Sequence, residues 1–419
     1  MRRPAAGVDF DCLITGAGVI GMTMATLLLV RKLAHRGRVA VIAPRPDPAA
    51  YGAAVDWELR VFALSRASQR LLEVCGVWQG LPPDRTFAYE RMRVWDARGE
   101  PQGDGSLTFD CALLGEPNLG SIVEGRALQD ACSRAATALG VVLIEATLEE
   151  VVTKADAVRV RLHDGRELSS RLLIAADGTL SKTRELLGID TAGHAYHQDA
   201  LVAHVSTRES HDGTAWQRFL PTGPLAFLPL PDGRSSIVWS VPRAQAAWLR
   251  AQDPAAFGAA LTTASGGALG ACELTTPVAS FPLQLQYALD YVRPRAVLLG
   301  DAAHVVHPLA GQGLNLGFLD CATLAAVLAE SDGSAAFGEF RVLRRYERWR
   351  RSENLLMVTA LDGLERLFGN DDPLKSRLRI LGLNAVARVP WVQRMFAQRA
   401  LGLRGDIPAF LTEAPASRQ

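Results

Sequence analysis

Apolar positions in this chain come first as short unbroken runs and later as alternation. A run from Asp11 to Ile14 ends in Thr15-Gly16-Ala17-Gly18, after which Val19 to Leu33 carries apolar residues at helical spacing. That order predicts a strand, a glycine turn and a helix. A second β-branched run, Arg38 to Ile42, follows Gly37, which stands where a helix C-cap is expected, so the chain opens on a βαβ unit with a parallel sheet. From Ala200 to Val241 the pattern alternates, is rich in Trp, Phe and Pro, and turns at Asp212-Gly213 and Asp232-Gly233. This predicts an antiparallel sheet inserted into the first domain. A buried-strand run returns at Ala296 to Leu299, followed by a glycine-rich loop and a long apolar helix from about Leu314 to Glu330, and the chain reads as helical after Phe340.

A length of 419 residues corresponds to two or three domains, and 48% hydrophobic against 21% charged residues is the balance of a folded globular protein. With 45 Lys and Arg against 44 Asp and Glu, the chain lacks the basic surplus that phosphate-backbone binding needs, so no nucleic-acid partner is expected. The charge is uneven: between Arg341 and Arg404 stand 13 arginines and one lysine against six acidic residues. Six cysteines without a CxxC pair or nearby histidines read as free thiols in a reducing compartment. The most apolar early stretch, Met22 to Val30, stops at Arg31 and falls short of the roughly 20 residues a bilayer requires. No secretory signal precedes it, and a cytoplasmic location is expected.

Three strings carry chemistry. Gly16-Ala17-Gly18-Val19-Ile20-Gly21 is a GxGxxG sequence: the first glycine permits a tight turn, the second lets the backbone approach a pyrophosphate, and the third lets helix and strand pack closely. The helix N-terminus offers unpaired N–H groups to the phosphates, so dinucleotide binding is predicted. The acidic residue expected to hold a ribose about 20 residues on is replaced by Ala43, with Asp47 the nearest carboxylate. In the second string an apolar strand ends in Asp177-Gly178 before a helix begins. The third, Leu298-Leu299-Gly300-Asp301, leads through His304, His307 and Pro308 to Gly311-Gln312-Gly313-Leu314-Asn315-Leu316-Gly317. An aspartate leaving a strand at Gly300-Asp301 can accept bonds from ribityl hydroxyls, and the helix after Gly313 can turn its positive end to a flavin ring carbonyl. No Ser-His-Asp order, metal-ligand cluster or P-loop lysine is present, which leaves hydrolase, metalloenzyme and NTPase readings without residues.

Taken in order, the strings resemble the class A FAD-dependent monooxygenases typified by para-hydroxybenzoate hydroxylase. Arg60-Val61-Phe62-Ala63-Leu64-Ser65, Ser68 to Trp78, Pro221 to Leu230 and Gly311 to Gly317 resemble more narrowly the ubiquinone-biosynthesis hydroxylases. The resemblance implies an α/β fold. A Rossmann-like FAD-binding domain would be built from residues 1–80, 111–190 and 286–340, a substrate domain from 81–110 and an antiparallel sheet over 191–285, and a basic helical region from 341–419. It implies tightly bound FAD held by Gly16, Gly18, Val19, Ile20 and Gly21, by Arg60 and Arg126, by Asp177 and Gly178, by Gly300 and Asp301, and by Pro308, Gly311, Gln312, Gly313, Leu314 and Asn315. A guanidinium at Arg60 or Arg126 suits both a pyrophosphate and an isoalloxazine edge.

The implied activity is hydroxylation of a polyprenylated phenol in ubiquinone biosynthesis through a C4a-hydroperoxyflavin, with O2 and transiently bound NAD(P)H. No side chain is singled out as catalytic, because the cofactor carries the reactive oxygen while the protein orients the ring and excludes water. His304 and His307 read as hydrogen-bonded loop histidines rather than as bases. A flavin-dependent reductase of prenyl double bonds, or a flavin-holding scaffold subunit, would share the same strings. Other quinone-biosynthesis proteins, or a second copy of the chain, are the protein partners the resemblance suggests. From Leu374 to Leu403, Leu378, Leu381, Leu383, Val386, Val389, Trp391, Met395 and Phe396 are interleaved with Arg377, Arg379, Arg388, Arg394 and Arg399. That pattern suits helices on anionic lipid or a partner, at the inner face of the membrane, or else a cap packed on the FAD domain with its arginines in water.

Overall fold

The computed structural model describes residues 7–45, 56–306, 312–368, 373–403 and 405–412. Strand Phe10–Thr15, buried from Asp11 onward, pairs in parallel with Val39–Ala43 on one side and Glu167–Ala175 on the other. Glu167–Ala175 takes Ala296–Leu298 in parallel, and Val142–Glu145 lies beside Val39–Ala43. Their central residues are near-continuous apolar runs because such strands are covered on both faces. The register sets Thr15, Ala175 and Leu298 in one row. The chain therefore leaves three adjacent strands at the same edge of the sheet, and the three chemistry-bearing strings become neighbours.

Helix α1 (Val19–Val30) ends earlier than its apolar spacing suggests. The Leu33 N–H bonds to the Leu28 carbonyl at 2.8 Å and the Lys32 N–H to that of Leu29 at 3.0 Å, with Lys32 at φ +56°. This is a Schellman closure with lysine in the left-handed position, which turns Leu33 back onto the core. Gly37 is thus not the cap; it serves the turn into the next strand.

Helices α2 (Arg66–Val74) and α3 (Gly125–Ala138) join α1 against the first sheet, and α4 (Lys182–Leu186) follows the Asp177 loop. Helices α5 (Arg243–Arg250) and α6 (Pro254–Ala264) back the second sheet, α7 (Gln312–Ala329) returns to α1, and α8 (Phe340–Phe368), α9 (Pro373–Ala387) and α10 (Pro390–Ala400) form the C-terminal region. None of the described helices is long and apolar enough to cross a membrane.

In the second sheet, Thr191–Thr207, Ser235–Pro242, Gly223–Pro229 and Thr214–Leu220 run antiparallel in that spatial order. The sheet is not wholly antiparallel, because Thr214–Leu220 pairs in parallel with Arg91–Asp96, whose hairpin partner is Ser106–Asp110. That hairpin arrives from far earlier in the chain, so no tight turn imposes an antiparallel direction. Ala279–Ala288 flanks Thr191–Thr207 and also pairs with His304–Val305, so the chain passes from the Gly300 turn straight into the second sheet. The fold class is the expected one, a Rossmann-like unit with an inserted, mostly antiparallel sheet and a helical C-terminal region.

Candidate active site

Glycines shape the edge where the three strands end. Gly16 sits at φ +96°, and a Cβ there would lie 2.3 Å from the Ala176 carbonyl oxygen; one on Gly21 would lie 1.9 Å from the Gly16 oxygen. The first turn, the Asp-Gly loop and α1 therefore approach backbone to backbone, which only glycine permits. The Cβ side of Gly18 meets nothing within 4 Å, and Gly18, Val19 and Ile20 border a cavity of about 1110 Å³. Gly18 is the N-cap of α1 and brings no side chain to it, which leaves first-turn N–H groups available to an anion.

Gly178, Asp301, Gly313, Leu314 and Asn315 reach the same cavity. Asp177 instead braces its own loop. Its carboxylate accepts hydrogen bonds from Ser181 Oγ, from the Thr183 N–H at 3.0 Å and from Thr183 Oγ1 at 2.8 Å, and this sets Gly178 at the cavity wall. Arg184 spans two of the strings, donating to the carbonyls of Thr179 at 3.1 Å and Ala302 at 2.9 Å. Burial pushes the Asp301 carboxyl above its ordinary value, while the charges of His304 and Arg60 and a hydrogen bond with Thr179 oppose the shift. His304 is buried and bonded to Asp320, not turned to the cavity as a base would be. Asp47, His307, Pro308 and Gly311 lie outside the described residues, and Gln312 is described only as the first residue of α7.

Arg60 and Arg126 both line the cavity, the guanidinium of Arg60 lying 5.0 Å from the Phe62 ring centroid. The Arg126 N–H donates to Glu58 Oε2 at 2.7 Å, and the Glu58 N–H donates to Glu124 Oε1 at 2.7 Å. Glu58 and Gln129 also border the cavity, although no motif singles them out. Gln129 Nε2 donates to the Ala17 carbonyl at 2.7 Å and so steadies the glycine turn. Asn315 accepts from the Ser65 N–H at 2.9 Å and from Ser68 Oγ at 2.7 Å and donates to the Ala63 carbonyl at 2.9 Å, fastening the segment that follows Arg60 to α7. One visible signal was Asp320, the sole charged residue in the apolar sequence of α7.

Away from the glycines the cavity runs between the second sheet and the C-terminal helices, where Val94, Leu107 and Phe109 of the hairpin face Leu383 and Val386 of α9. Arg379 borders it too, which corrects the expectation that this arginine faces lipid or water. Its side chain is 2% exposed, with Nε 2.6 Å from Asp96 Oδ2 and Nη1 2.9 Å from the Leu367 carbonyl oxygen. A charge this dry needs a partner, and the wholly buried Asp96 supplies it. Leu381 and Trp391 remain exposed, as do Arg377, Arg388, Arg394 and Arg399, while the side chains of Leu378 and Phe396 lie outside the described ones.

Comparison with known proteins agrees with this geometry. Residues 9–354 match the FAD binding domain family. The 3-demethoxyubiquinol 3-hydroxylase of Escherichia coli is 34% identical over 93% of this chain and 98% of its own length. Ubiquinone hydroxylase UbiL of Rhodospirillum rubrum is 36% identical over 94% of this chain and 89% of its own. The chain belongs to the ubiquinone-biosynthesis hydroxylases, class A FAD-dependent monooxygenases. Solved structures share the fold of this flavoprotein: p-nitrophenol 4-monooxygenase PnpA from Pseudomonas putida has a TM-score of 0.73 at 18% identity, covering 95% of this chain and 98% of that one. PqsL of Pseudomonas aeruginosa, in complex with 2-aminobenzoylacetate, has a TM-score of 0.69 at 23% identity, covering 90% and 99%.

FAD is the cofactor of this monooxygenase and NAD(P)H its family's co-substrate. The residues present fit FAD. The open Gly18 side and the α1 N-terminus suit a pyrophosphate, the half-buried Asp301 suits sugar-alcohol hydroxyls as an acceptor, and Arg60 and Arg126 add positive charge.

Proposed function

We propose that this monooxygenase hydroxylates the ring of a polyprenylated phenol in ubiquinone biosynthesis. One atom of O2 enters the ring and the other leaves as water, while NAD(P)H and a proton supply the two electrons and hydrogens that balance the reaction. The observation that carries this reading is a single cavity with two chemistries: glycine backbone, Arg60, Arg126 and Asp301 at one end, and Leu107, Phe109, Leu383 and Val386 at the other. Bound FAD would supply oxygen activation and electron transfer.

The chain's own residues do the rest. Gly18 and the start of α1 would hold phosphates, Asp301 the ribityl chain, and Arg60 and Arg126 the charged edges of the cofactor. The apolar end takes the prenyl tail, each buried methylene contributing about 0.8 kcal/mol, and keeps water from the reacting ring. The deciding experiment is turnover of a polyprenyl phenol with NAD(P)H under 18O2. One labelled oxygen in the product, and much weaker turnover of the tail-less phenol, are expected. Reduction of a prenyl double bond without oxygen would establish the reductase instead, and FAD binding without substrate-dependent NAD(P)H oxidation would establish the scaffold.

A membrane-dissolved substrate has to be collected at a lipid surface, and the exposed Leu381 and Trp391 among Arg377, Arg388 and Arg394 support peripheral docking there. The protein is expected to co-sediment with anionic vesicles, to lose that binding as salt rises, and to lose it when Arg377, Arg388 and Arg394 become Glu with FAD content unchanged. Equal sedimentation with neutral vesicles, or none with either, rejects docking.

A further inference from the structure

Behind the Gly300-Asp301 turn lies a buried polar network that the cofactor cradle does not itself require. Asp320 of α7 is wholly buried and accepts four hydrogen bonds. One oxygen takes the Gly300 N–H at 3.0 Å and His304 Nε2 at 2.6 Å; the other takes Arg350 Nε at 2.7 Å and Asn354 Nδ2 at 3.4 Å. Arg350 and Asn354 come from α8 and bond to each other at 2.6 Å. The same helix holds the strand that leads into the turn, Tyr346 donating through its hydroxyl to the Leu298 carbonyl at 2.9 Å.

Burial opposes the Asp320 charge, but His304 and Arg350 outweigh it and keep the carboxyl at about 2. His304 Nδ1 is buried without a hydrogen-bond partner among the described residues, so Asp320 is the group that fixes its ring. A network whose donors and acceptor meet at one carboxylate is rigid, and its members move together.

We propose that Asp320 is a positioning residue for the flavin: it holds the Gly300 amide and the His304 ring, aims Asp301 into the cavity, and makes that aim depend on the seating of α8. Helix α8 ends in Leu367 and Phe368, which border the apolar part of the cavity. One buried carboxylate therefore joins the wall of the substrate end to the acceptor at the cofactor end.

Asp320→Leu alone would leave Arg350 buried without a counter-charge, a structural fault in itself. Combined with Arg350→Met, that charge is removed and loss of aim is left as the remaining defect. The double variant is expected to stay folded, with a cooperative unfolding transition at a somewhat lower temperature, while its FAD Kd rises about tenfold or more, the scale of a lost hydrogen bond to a charged group. An FAD Kd within about threefold of wild type would overturn the positioning role, since a merely structural carboxylate is dispensable once its charge partner is gone. Hydrogen exchange on the wild-type chain decides the coupling without any variant. FAD is expected to slow exchange over residues 343–354 of α8, which do not border the cavity, and unchanged exchange there would overturn it.

Discussion

Asp301→Ala is expected to purify with little flavin, where the wild-type chain purifies yellow with about one FAD per chain. Asp301 stands at the end of a central parallel strand, where sheet register brings the turn beside the glycine cradle. It is an acceptor on the cavity wall, the place proposed above for the ribityl hydroxyls, and its partial burial raises the value of each bond made there. Losing a hydrogen bond to a charged group costs about 1.5 to 3 kcal/mol, which is roughly a 10- to 150-fold rise in FAD Kd. Asp301→Asn, which keeps the shape and one acceptor oxygen, is expected to recover part of that loss. Flavin absorbance after desalting and a fluorescence titration check both, and full FAD retention by the alanine variant would remove Asp301 from the cofactor's contacts.

Arg379→Met is expected to destabilise the chain by about 3 to 5 kcal/mol, because it strands a buried carboxylate. Asp96 would keep Ser376 Oγ at 3.2 Å and the Arg98 N–H at 3.0 Å but lose its cation. Adding Asp96→Asn removes the stranded charge and should restore most of the loss, since a buried pair is often replaceable by neutral groups. Urea unfolding of the two single variants and the double variant gives the coupling directly. The pair also seats α9 on the hairpin that walls the apolar end of the cavity. Long-tailed substrates are therefore expected to lose more in kcat/KM than short ones. A loss below about 1 kcal/mol, the range of a surface ion pair, would mean that the pair is not dry in solution. Vesicle binding should be untouched by Arg379→Met, since this arginine does not face the surface.

How far the chain can be read without its fold differs by region. The opening βαβ unit, the strand before Asp177 and the strand before Gly300 were legible because each has an apolar stretch at its C-terminal end and a glycine within three residues after it. The end of α1 was not: Gly37 is the residue a local rule selects, yet the chain closes at Lys32 because doing so returns Leu33 to the core. Glu58 and Gln129 belong to no recognisable string. Their places follow from contacts with Arg126 and Ala17, which lie far from them in sequence. Alternation announced the second sheet but could not show that Arg91–Asp96 joins it in parallel.

The C-terminal arginines separate local pattern from tertiary decision most clearly. Their spacing among apolar residues declared amphipathic helices, and Arg377, Arg388, Arg394 and Arg399 are exposed. Nothing in that spacing distinguishes Arg379 from Arg377, because local periodicity reports only which residues share a face. Which face is dry depends on an aspartate 283 residues away. By itself the sequence determined the strand and turn order, the glycine cradle and the class of cofactor, all of which depend on residues close together in the chain. Tertiary structure alone decided that Asp301 faces the cavity, that Arg379 is a buried partner, and that Asp320 ties α7 and α8 to the Gly300 turn. Those outcomes depend on which polar groups packing leaves without water, and a buried charge takes whatever partner the fold brings within hydrogen-bond reach.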